Sequence, residues 1–87
     1  MKLKILYFAW LKSSIGTGEE RVEAPDSIDN VAGLIDWLKT RSSGHAAALD
    51  DLSVVRCAVN LDHVQPDAPL EDGDEVGFFP PVTGGSR

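Results

Sequence analysis

The segment at residues 78–85, close to the C-terminal end, has a residue pattern with a clear chemical use. It consists of two phenylalanines, two prolines, a two-residue spacer and two glycines, namely Phe78, Phe79, Pro80, Pro81, Val82, Thr83, Gly84 and Gly85. Proline has no backbone N–H and restricts the residue before it to extended conformations, so the two prolines end a strand. Glycine has no Cβ, so nothing shields the carbonyl group of Gly85. The pattern predicts an extended tail whose thin tip enters a narrow channel in a partner.

The length of this tail and the residues after Gly85 decide whether its tip can act inside a partner. As polyproline-like chain, residues 80–85 span roughly 18 Å at about 3.1 Å per residue, which is enough to enter a pocket. The sequence continues past Gly85 with Ser86 and Arg87. The peptide bond from Gly85 to Ser86 uses the carboxyl group that a terminal glycine would present.

The other reactive side chains lack the spacing of a catalytic or metal site. The sequence has no paired cysteines, no H-E-x-x-H and no G-x-S-x-G motif. His45 and His63 fall in predicted connections, where we expect surface roles. Cys57 lies within a predicted strand among valines, and we expect it to be buried and unreactive, because a reactive thiol needs an accessible, electropositive setting. We therefore expect no metal site.

Two polar segments resemble ligand loops only superficially. Residues 16–18 (Gly-Thr-Gly) lack the full glycine spacing, the Lys-Ser/Thr end and the following helix of a phosphate loop, so they predict a turn. A cluster of carboxylates follows later, at Glu71, Asp72, Asp74 and Glu75. It is too short to surround a calcium ion and predicts a solvated turn, with an acidic patch that orients the domain on basic partners as its second reading.

Composition limits the class of protein. The chain has 87 residues, of which 43% are hydrophobic and 25% charged, which indicates one globular domain with a single modest core. No apolar run approaches the roughly 20 residues that span a bilayer, and the alternating N-terminus suits a strand better than a signal peptide. One cysteine cannot form an internal disulfide, which agrees with a reducing compartment, so we expect a cytoplasmic location.

The net charge of −6 argues against nucleic-acid binding and favours basic protein partners.

Hydrophobic periodicity predicts a mixed α+β domain over residues 1–79, followed by a flexible tail over residues 80–87. The predicted strands cover residues 2–10, 19–24, 54–60, 64–65 and 75–79, and the one helix covers residues 31–41. Asp29 or Asn30 is placed to cap this helix. Its apolar residues recur at helical spacing and predict one stripe against a sheet, formed by Val31, Leu34, Ile35 and Leu38. Residues 12–18 predict a hairpin connection, residues 42–44 the end of the helix, residues 45–52 a short helical turn and residues 61–63 a turn.

Strand alternation places two aromatic residues beside the start of the tail. If the helix covers Tyr7 and Phe78, then Phe8 and Phe79 lie together on the opposite, open face of the sheet. Exposed aromatics of this kind predict a docking patch for a partner. A register shift of one residue would reverse the assignment.

Taken together, these segments resemble a known family. The matching stretches are residues 7–9 with 11–12, residues 58–60, residues 72–76 and, most specifically, residues 78–85. They are similar to the small, sulfur-carrying subunit of molybdopterin synthase (MoaD type), a ubiquitin-like β-grasp family. The resemblance covers residues 1–85 and implies a β-grasp fold with one main helix across a mixed sheet.

The resemblance also implies a chemistry in which this chain is a carrier and not itself an enzyme. The terminal glycine of the family is adenylated by an ATP-using, E1-like activating enzyme, and sulfur from a donor then displaces AMP to leave a thiocarboxylate. The large catalytic subunit of the synthase accepts the tail and uses the sulfur to build the dithiolene of molybdopterin from cyclic pyranopterin monophosphate. Gly85 matches the modified position and Gly84 keeps the approach narrow, while Phe8 and Phe79 match subunit contacts, and Pro80, Pro81, Val82 and Thr83 form the tail that enters the partner. The acyl-AMP and thiocarboxylate are transient, and no stably bound cofactor is implied.

The sequence departs from the family pattern at two places. The family ends at the second glycine, so Ser86 and Arg87 are removed by proteolysis, or are an artificial addition, or mark an inactive copy; the intact tail favours the first two. His63 falls where an apolar contact residue would suit the family better. Two rival functions stay open: sulfur transfer for thiamine thiazole synthesis or ubiquitin-like conjugation, and a β-grasp interaction module that carries no sulfur.

Overall fold

The computed structural model describes residues 1–81. Its five strands are β1 (Lys2–Tyr7), β2 (Glu19–Glu23), β3 (Arg56–Val59), β4 (Asp62–Val64) and β5 (Glu75–Phe79). Its three α-helices are α1 (Trp10–Ile15), α2 (Val31–Lys39) and α3 (Ser43–Ala48), and a 3₁₀ turn covers Leu52–Val54. None of the helices in this described part is long and apolar enough to cross a membrane.

The strands form one mixed sheet in the order β2-β1-β5-β3-β4. The two central strands β1 and β5 run parallel, and the other neighbouring pairs are antiparallel. The main helix α2 contributes its apolar stripe to the core that covers one face of this sheet. The predicted α+β class and the ubiquitin-like β-grasp fold are therefore confirmed.

The core forms where alternating strands meet the stripe of α2. Ile5 pairs with Val76, and Tyr7 pairs with Phe78 across the parallel strands; all four side chains are buried. The rings of Tyr7 and Phe78 stack with their centroids 6.2 Å apart. Because successive residues point to opposite faces, the neighbours of these residues lie on the open face of the sheet.

Helix α2 follows its sequence signals closely. The side chain of Asn30 accepts a hydrogen bond of 2.8 Å from the backbone N–H of Gly33, which confirms the cap. All four predicted stripe residues are buried, and burying such a side chain contributes about 1.5–3 kcal/mol. The helix ends at Lys39, two residues before the predicted end.

The prediction was wrong between β1 and β2. The first strand ends at Tyr7 instead of extending to Trp10, because Ala9 has a φ of 55° and turns the chain. Residues 10–15 form α1 where a hairpin connection was predicted, and the fully buried side chain of Leu11 anchors it. Gly16 ends α1 in the left-handed conformation, with φ of 99°, so residues 16–18 do follow a turn.

The segment after α2 also differs from the prediction. Ser42 does not simply end α2; it caps the start of α3, and its hydroxyl accepts a hydrogen bond from the backbone N–H of His45. Helix α3 packs closely on α1 at Gly44, where a Cβ would lie 2.5 Å from the carbonyl oxygen of Ser14. The helical turn predicted for residues 45–52 therefore starts earlier, at Ser43, and ends earlier, at Ala48.

The hairpin of β3 and β4 is displaced by a few residues from its predicted position. Val54 belongs to the 3₁₀ turn, so β3 begins at Arg56. The turn consists of Asn60 and Leu61, which have φ of 50° and 74°, the pattern of a two-residue hairpin turn. Strand β4 therefore starts at Asp62, inside the segment predicted to be a turn.

Candidate functional site

The open face, on the opposite side of the sheet from α2, holds a shallow depression of about 200 Å³. Side chains and backbone of β1, β3, β4 and β5 contribute to it. Its lining consists of Leu6, Phe8, Ala58, Leu61, His63, Glu75, Gly77 and Phe79. We call these residues the apolar depression. The predicted register of Phe8 and Phe79 is thus confirmed, because both side chains lie on this face.

Phe8 packs on the sheet at Gly77 although 48% of its surface is exposed. Its backbone N–H donates to the carbonyl oxygen of Phe78 at 3.1 Å, which extends the pairing of β1 with β5 by one residue. Its ring lies over Gly77, where a Cβ would sit 3.5 Å from the ring carbon Cε2. The turn at Ala9 then carries the chain away from the sheet. A large apolar surface is therefore presented to solvent on a fixed backbone.

Phe79 connects the apolar depression to the predicted tail. It is the last residue of β5, a strand paired on both sides, and Pro80 follows it directly. Its ring lies against the imidazole of His63, with the centroids 5.1 Å apart. Pro80 and Pro81 are partly buried and are the last residues that the structure describes. The start of the tail is therefore fixed beside two aromatic rings.

Leu61 belongs to this site and was missed by the sequence reasoning. Its side chain is 88% exposed at the tip of the β3–β4 hairpin, the highest exposure among the large hydrophobic residues described. The signal in the sequence was an apolar residue in a tight turn, a position that usually takes glycine, asparagine or aspartate. Leu61 lines the same depression as Phe8 and Phe79, and a contiguous exposed apolar patch of this kind is typical of an interaction site.

The acidic segment fixes this hairpin in place. The amide of Asn60 donates to Asp74 Oδ1 at 2.9 Å and accepts from the backbone N–H of Glu75 at 3.0 Å. The second carboxylate oxygen of Asp74 accepts from the backbone N–H of Glu71, and Asp72 accepts from that of Lys2. The predicted turn is present, and its carboxylates bind backbone groups in addition to facing solvent. Residues 1–81 contain no group of three or more side chains that could hold a metal ion.

His45 contradicts the predicted surface role. It is only 7% exposed, and it lies in α3 with both ring nitrogens in hydrogen bonds. Nε2 is 2.7 Å from Glu20 Oε2, and Nδ1 is 2.7 Å from the hydroxyl of Ser42. Tyr7 donates its hydroxyl proton to the same oxygen of Glu20 at 2.7 Å. This network lies away from the apolar depression and is structural.

Charge and burial shift two pKa values in this network. Burial acts to raise the pKa of Glu20, but hydrogen bonds from His45 and Tyr7, together with the positive charge of Arg41, outweigh it and lower that pKa. Burial raises the pKa of Tyr7, and the Glu20 carboxylate raises it further. The tyrosine therefore stays a hydrogen-bond donor and the glutamate stays ionised near neutral pH.

Cys57 and His63 have the burial that the sequence predicted. Cys57 is buried, its Sγ lies 3.4 Å from the carbonyl oxygen of Val64, and burial raises the pKa of its thiol. His63 is exposed on β4, as expected for a surface residue. Val82, Thr83, Gly84, Gly85 and the pair Ser86–Arg87 lie outside the described residues, so their roles, and the contact roles of Phe8, Phe79, Pro80 and Pro81, stay predictions.

Comparison with known proteins gives this arrangement a family. The family model described as "ThiS family" matches residues 5–85. The chain belongs to the ThiS family. It is 42% identical over 83 residues to the molybdopterin synthase sulfur carrier subunit of Escherichia coli strain K12, covering 95% of this chain and 99% of that protein. It is 33% identical to the protein of the same name from Chlamydomonas reinhardtii, covering 98% of this chain and all of that protein.

A solved structure agrees with these sequence relatives. The putative molybdopterin converting factor subunit 1 of Pyrococcus furiosus superposes with a TM-score of 0.78 at 37% identity. The superposition covers 94% of this chain and 99% of that one. The similarity in fold thus extends over most of this chain and nearly all of that one.

Proposed function

We propose that this protein is the sulfur carrier subunit of molybdopterin synthase and acts in the synthesis of the molybdenum cofactor. The observation that carries the proposal is the connection between the apolar depression and the tail: Phe79 ends a central strand on the open face, and Pro80 begins the segment that runs to Gly84 and Gly85. Full-length relatives that are named as this subunit support it.

The carrier supplies a terminal carboxyl group and a docking surface, and its partners supply the chemistry. A carboxylate is a poor electrophile, so an E1-like adenylating enzyme first joins the Gly85 carboxylate to the α-phosphorus of ATP and releases pyrophosphate. Sulfur from a donor then attacks the acyl carbon and AMP leaves, which produces the thiocarboxylate. The large catalytic subunit takes the tail into its active site and transfers the sulfur to cyclic pyranopterin monophosphate.

The described residues support the docking step in this sequence. Phe8, Leu61 and Phe79 present apolar surface on backbone that is fixed by strand pairing and by the turn at Asn60. Exposed aromatic and aliphatic anchors of this kind dominate the binding energy of many protein interfaces. The large subunit therefore docks on the apolar depression and receives the tail from its edge at Phe79.

The proposal also includes the removal of the last two residues and the cellular location of the protein. Ser86 and Arg87 must leave before Gly85 can be adenylated, because they hold its carbonyl in a peptide bond. The single cysteine fits a reducing compartment, and we place the protein in the cytoplasm.

Intact mass spectrometry tests the carrier chemistry. A variant that ends at Gly85 is incubated with the activating enzyme, ATP and a sulfur donor, and its mass is expected to rise by one oxygen-to-sulfur exchange. The matched control ends at Gly84 and is expected to gain no sulfur. An unchanged mass of the Gly85 form, under conditions that convert the related Escherichia coli carrier, would overturn the proposal.

A second carrier function, sulfur transfer for thiamine thiazole synthesis, stays open for a member of the ThiS family. Retention of the large synthase subunit by this chain distinguishes the two pathways, since only the molybdopterin carrier is expected to retain it. Deletion of residues 84–87 tests the third reading, an interaction module without a carrier role. A carrier loses all function through this deletion, whereas a simple interaction module keeps it.

A further inference from the structure

The apolar depression contains one side chain of a type that changes charge near neutral pH. His63 on β4 lines it together with Phe8, Leu61 and Phe79, and its ring lies against the ring of Phe79 with the centroids 5.1 Å apart. Histidine is the side chain whose ordinary titration falls between pH 5 and 8. A partner that covers the depression therefore covers a group that is either neutral or positively charged.

Within residues 1–81, no side chain holds this imidazole in its charged form. The histidine hydrogen bonds and the histidine ion pair of this part of the chain belong to His45, and the ring nitrogens of His63 have none. The side chain of His63 is exposed, so water satisfies both nitrogens in the free protein. The state of the ring is therefore decided by what replaces that water.

The nearest charge on the same face is positive. Ala58 of β3 lies directly opposite His63, and Arg56 precedes Ala58 by two residues on that face, roughly 8 Å from His63 between Cα positions. On β4 itself, Asp62 is the neighbour of His63 in the chain, and strand alternation directs its side chain to the other face. Neither strand therefore offers a carboxylate that would stabilise a charged imidazole in the depression.

The carboxylate that does line the depression is distant from the imidazole. Glu75 on β5 is two strands away from His63 and two residues further along, roughly 12 Å between Cα positions. This separation exceeds the Debye length of about 8 Å at physiological ionic strength, so the interaction is largely screened. Lys4 lies directly opposite Glu75 on β1 and offsets part of its charge. Strand β1 contributes only apolar side chains to the depression.

Covering the depression removes water from the imidazole of His63. Burial disfavours the charged form of a histidine unless an opposite charge lies close by. A neutral imidazole still carries one N–H, and a buried donor of this kind needs an acceptor. A partner that docks here therefore has to supply one neutral acceptor, such as a backbone carbonyl or an amide oxygen, within an otherwise apolar surface.

We propose that His63 determines which partner surface docks on the apolar depression, namely an apolar surface with one neutral hydrogen-bond acceptor, and that docking requires the uncharged imidazole. The inference rests on the function proposed above. The complex then holds fewer protons than the separate proteins. Its affinity is complete at slightly alkaline pH and is lost as the pH falls through the range in which a free histidine takes up its proton.

Binding of the large synthase subunit at two pH values tests the inference. The affinity of the unchanged full chain is expected to fall about tenfold between about pH 7.5 and about pH 5.5. His63→Leu and His63→Gln remove the titration and are expected to lose this fall, and the glutamine variant keeps a donor for the acceptor of the partner. His45 and the groups of the partner are the same in every variant, so the comparison isolates His63.

Proton release provides a readout that a purely structural role of His63 would not change. Calorimetry in two buffers of different ionisation enthalpy counts the protons that leave on binding. At about pH 6.5, the unchanged chain is expected to release about half a proton more than His63→Leu. Equal proton release by the two chains would overturn the inference.

A fixed charge in the depression gives a second test. His63→Lys is expected to bind about tenfold more weakly than the unchanged chain at about pH 7.5, because its charge persists there. The matched control Gln65→Lys places the same charge two residues further along the chain, outside the lining of the depression, and is expected to lose less affinity. Urea unfolding checks that both variants are folded. Equal losses in the two folded variants would overturn the role of the depression.

The outcomes separate this inference from the proposed function. An equal fall in affinity for the unchanged chain and for both neutral variants would place the titrating group on the partner and overturn the inference, with the carrier function intact. Tighter binding of the unchanged chain at the lower pH, absent from the variants, would show that the partner presents an acidic group to His63, which also overturns it. If the unchanged chain binds no large subunit at either pH, the proposed function fails and the inference fails with it.

Discussion

His45 Nε2 lies 2.7 Å from Glu20 Oε2 and joins α3 to the edge strand β2 across 25 residues of sequence. The same carboxylate oxygen accepts the hydroxyl proton of Tyr7, so three elements meet at one partly buried acceptor. A neutral imidazole with its proton on Nε2 satisfies this contact and accepts from the Ser42 hydroxyl at Nδ1. Helix α3, which begins and ends earlier than the predicted helical turn, is thus fixed by one polar network.

This network makes the stability of the domain depend on Glu20. We expect His45→Ala to lower the free energy of unfolding by about 1–3 kcal/mol, because it leaves a partly buried carboxylate with fewer donors. Tyr7→Phe removes one hydrogen bond and keeps the ring, so its cost is about 1 kcal/mol. Urea unfolding measures both. Ala47→Ser, on the exposed side of α3, is the control, and losses no larger than those of the control would contradict the assigned role of the network.

The lowered pKa of Glu20 predicts how stability depends on pH. A carboxyl group whose pKa is lower in the folded state binds fewer protons there than in the unfolded chain, where the ordinary value is 4.5. Its contribution is therefore complete above that value and is lost as the pH falls through the lower folded pKa. Glu20→Gln is expected to flatten the acid limb of stability measured between neutral pH and about pH 3. Asp36→Asn on the exposed side of α2 is expected to leave that limb unchanged; an equal flattening by both variants would count against Glu20.

The backbone conformation of Ala9 predicts that a glycine at this position stabilises the protein. Its φ of 55° is a conformation that glycine adopts freely and alanine adopts at a cost. Ala9→Gly is therefore expected to raise the free energy of unfolding by up to about 1 kcal/mol. The matched change Ala47→Gly, in helix α3, is expected to lower it by about 0.5–1 kcal/mol. Thermal unfolding measures the stability of the two variants. A loss of stability in both would show that the backbone at Ala9 is unstrained.

The contrast between these residues shows which parts of the molecule the sequence could predict. The faces of β1 and β5 followed from alternation, because Ile5, Tyr7, Val76 and Phe78 pack on one side whatever the surrounding loops do. From this the open face, with Phe8 and Phe79, followed directly. Both predictions concern residues whose environment is set by local periodicity.

The errors concern residues whose environment is set by distant parts of the chain. Helices α1 and α3 have six residues each, too few for a helical period to appear, and they are held by packing on each other. The polar partner that explains the burial of His45 is 25 residues away, and the positive φ of Ala9 leaves no trace in the residue type. Leu61 is an unusual residue for a tight turn, but only the folded hairpin places it on the open face.

A substitution at Leu61 is expected to affect partner binding with little effect on the stability of the fold. Its side chain contacts little else in the described structure, so Leu61→Ala is expected to change the free energy of unfolding by less than about 0.5 kcal/mol. Binding of the large synthase subunit is expected to weaken, because an exposed apolar anchor has been removed. Leu52→Ala, at another exposed leucine in the 3₁₀ turn, is the control. Unchanged calorimetric affinity in both variants would remove Leu61 from the proposed interface.

Phe79 carries the strongest prediction about the docking surface. It is only partly buried, so Phe79→Ala is expected to leave the fold largely stable. Its ring lines the apolar depression at the start of the tail, and its loss is expected to weaken binding of the large subunit by about 1–3 kcal/mol. Isothermal calorimetry provides the affinity, and circular dichroism checks that the variant is folded. If the folded variant binds as tightly as the unchanged chain, then the partner does not dock on this end of β5, and the tail must reach its acceptor from another surface.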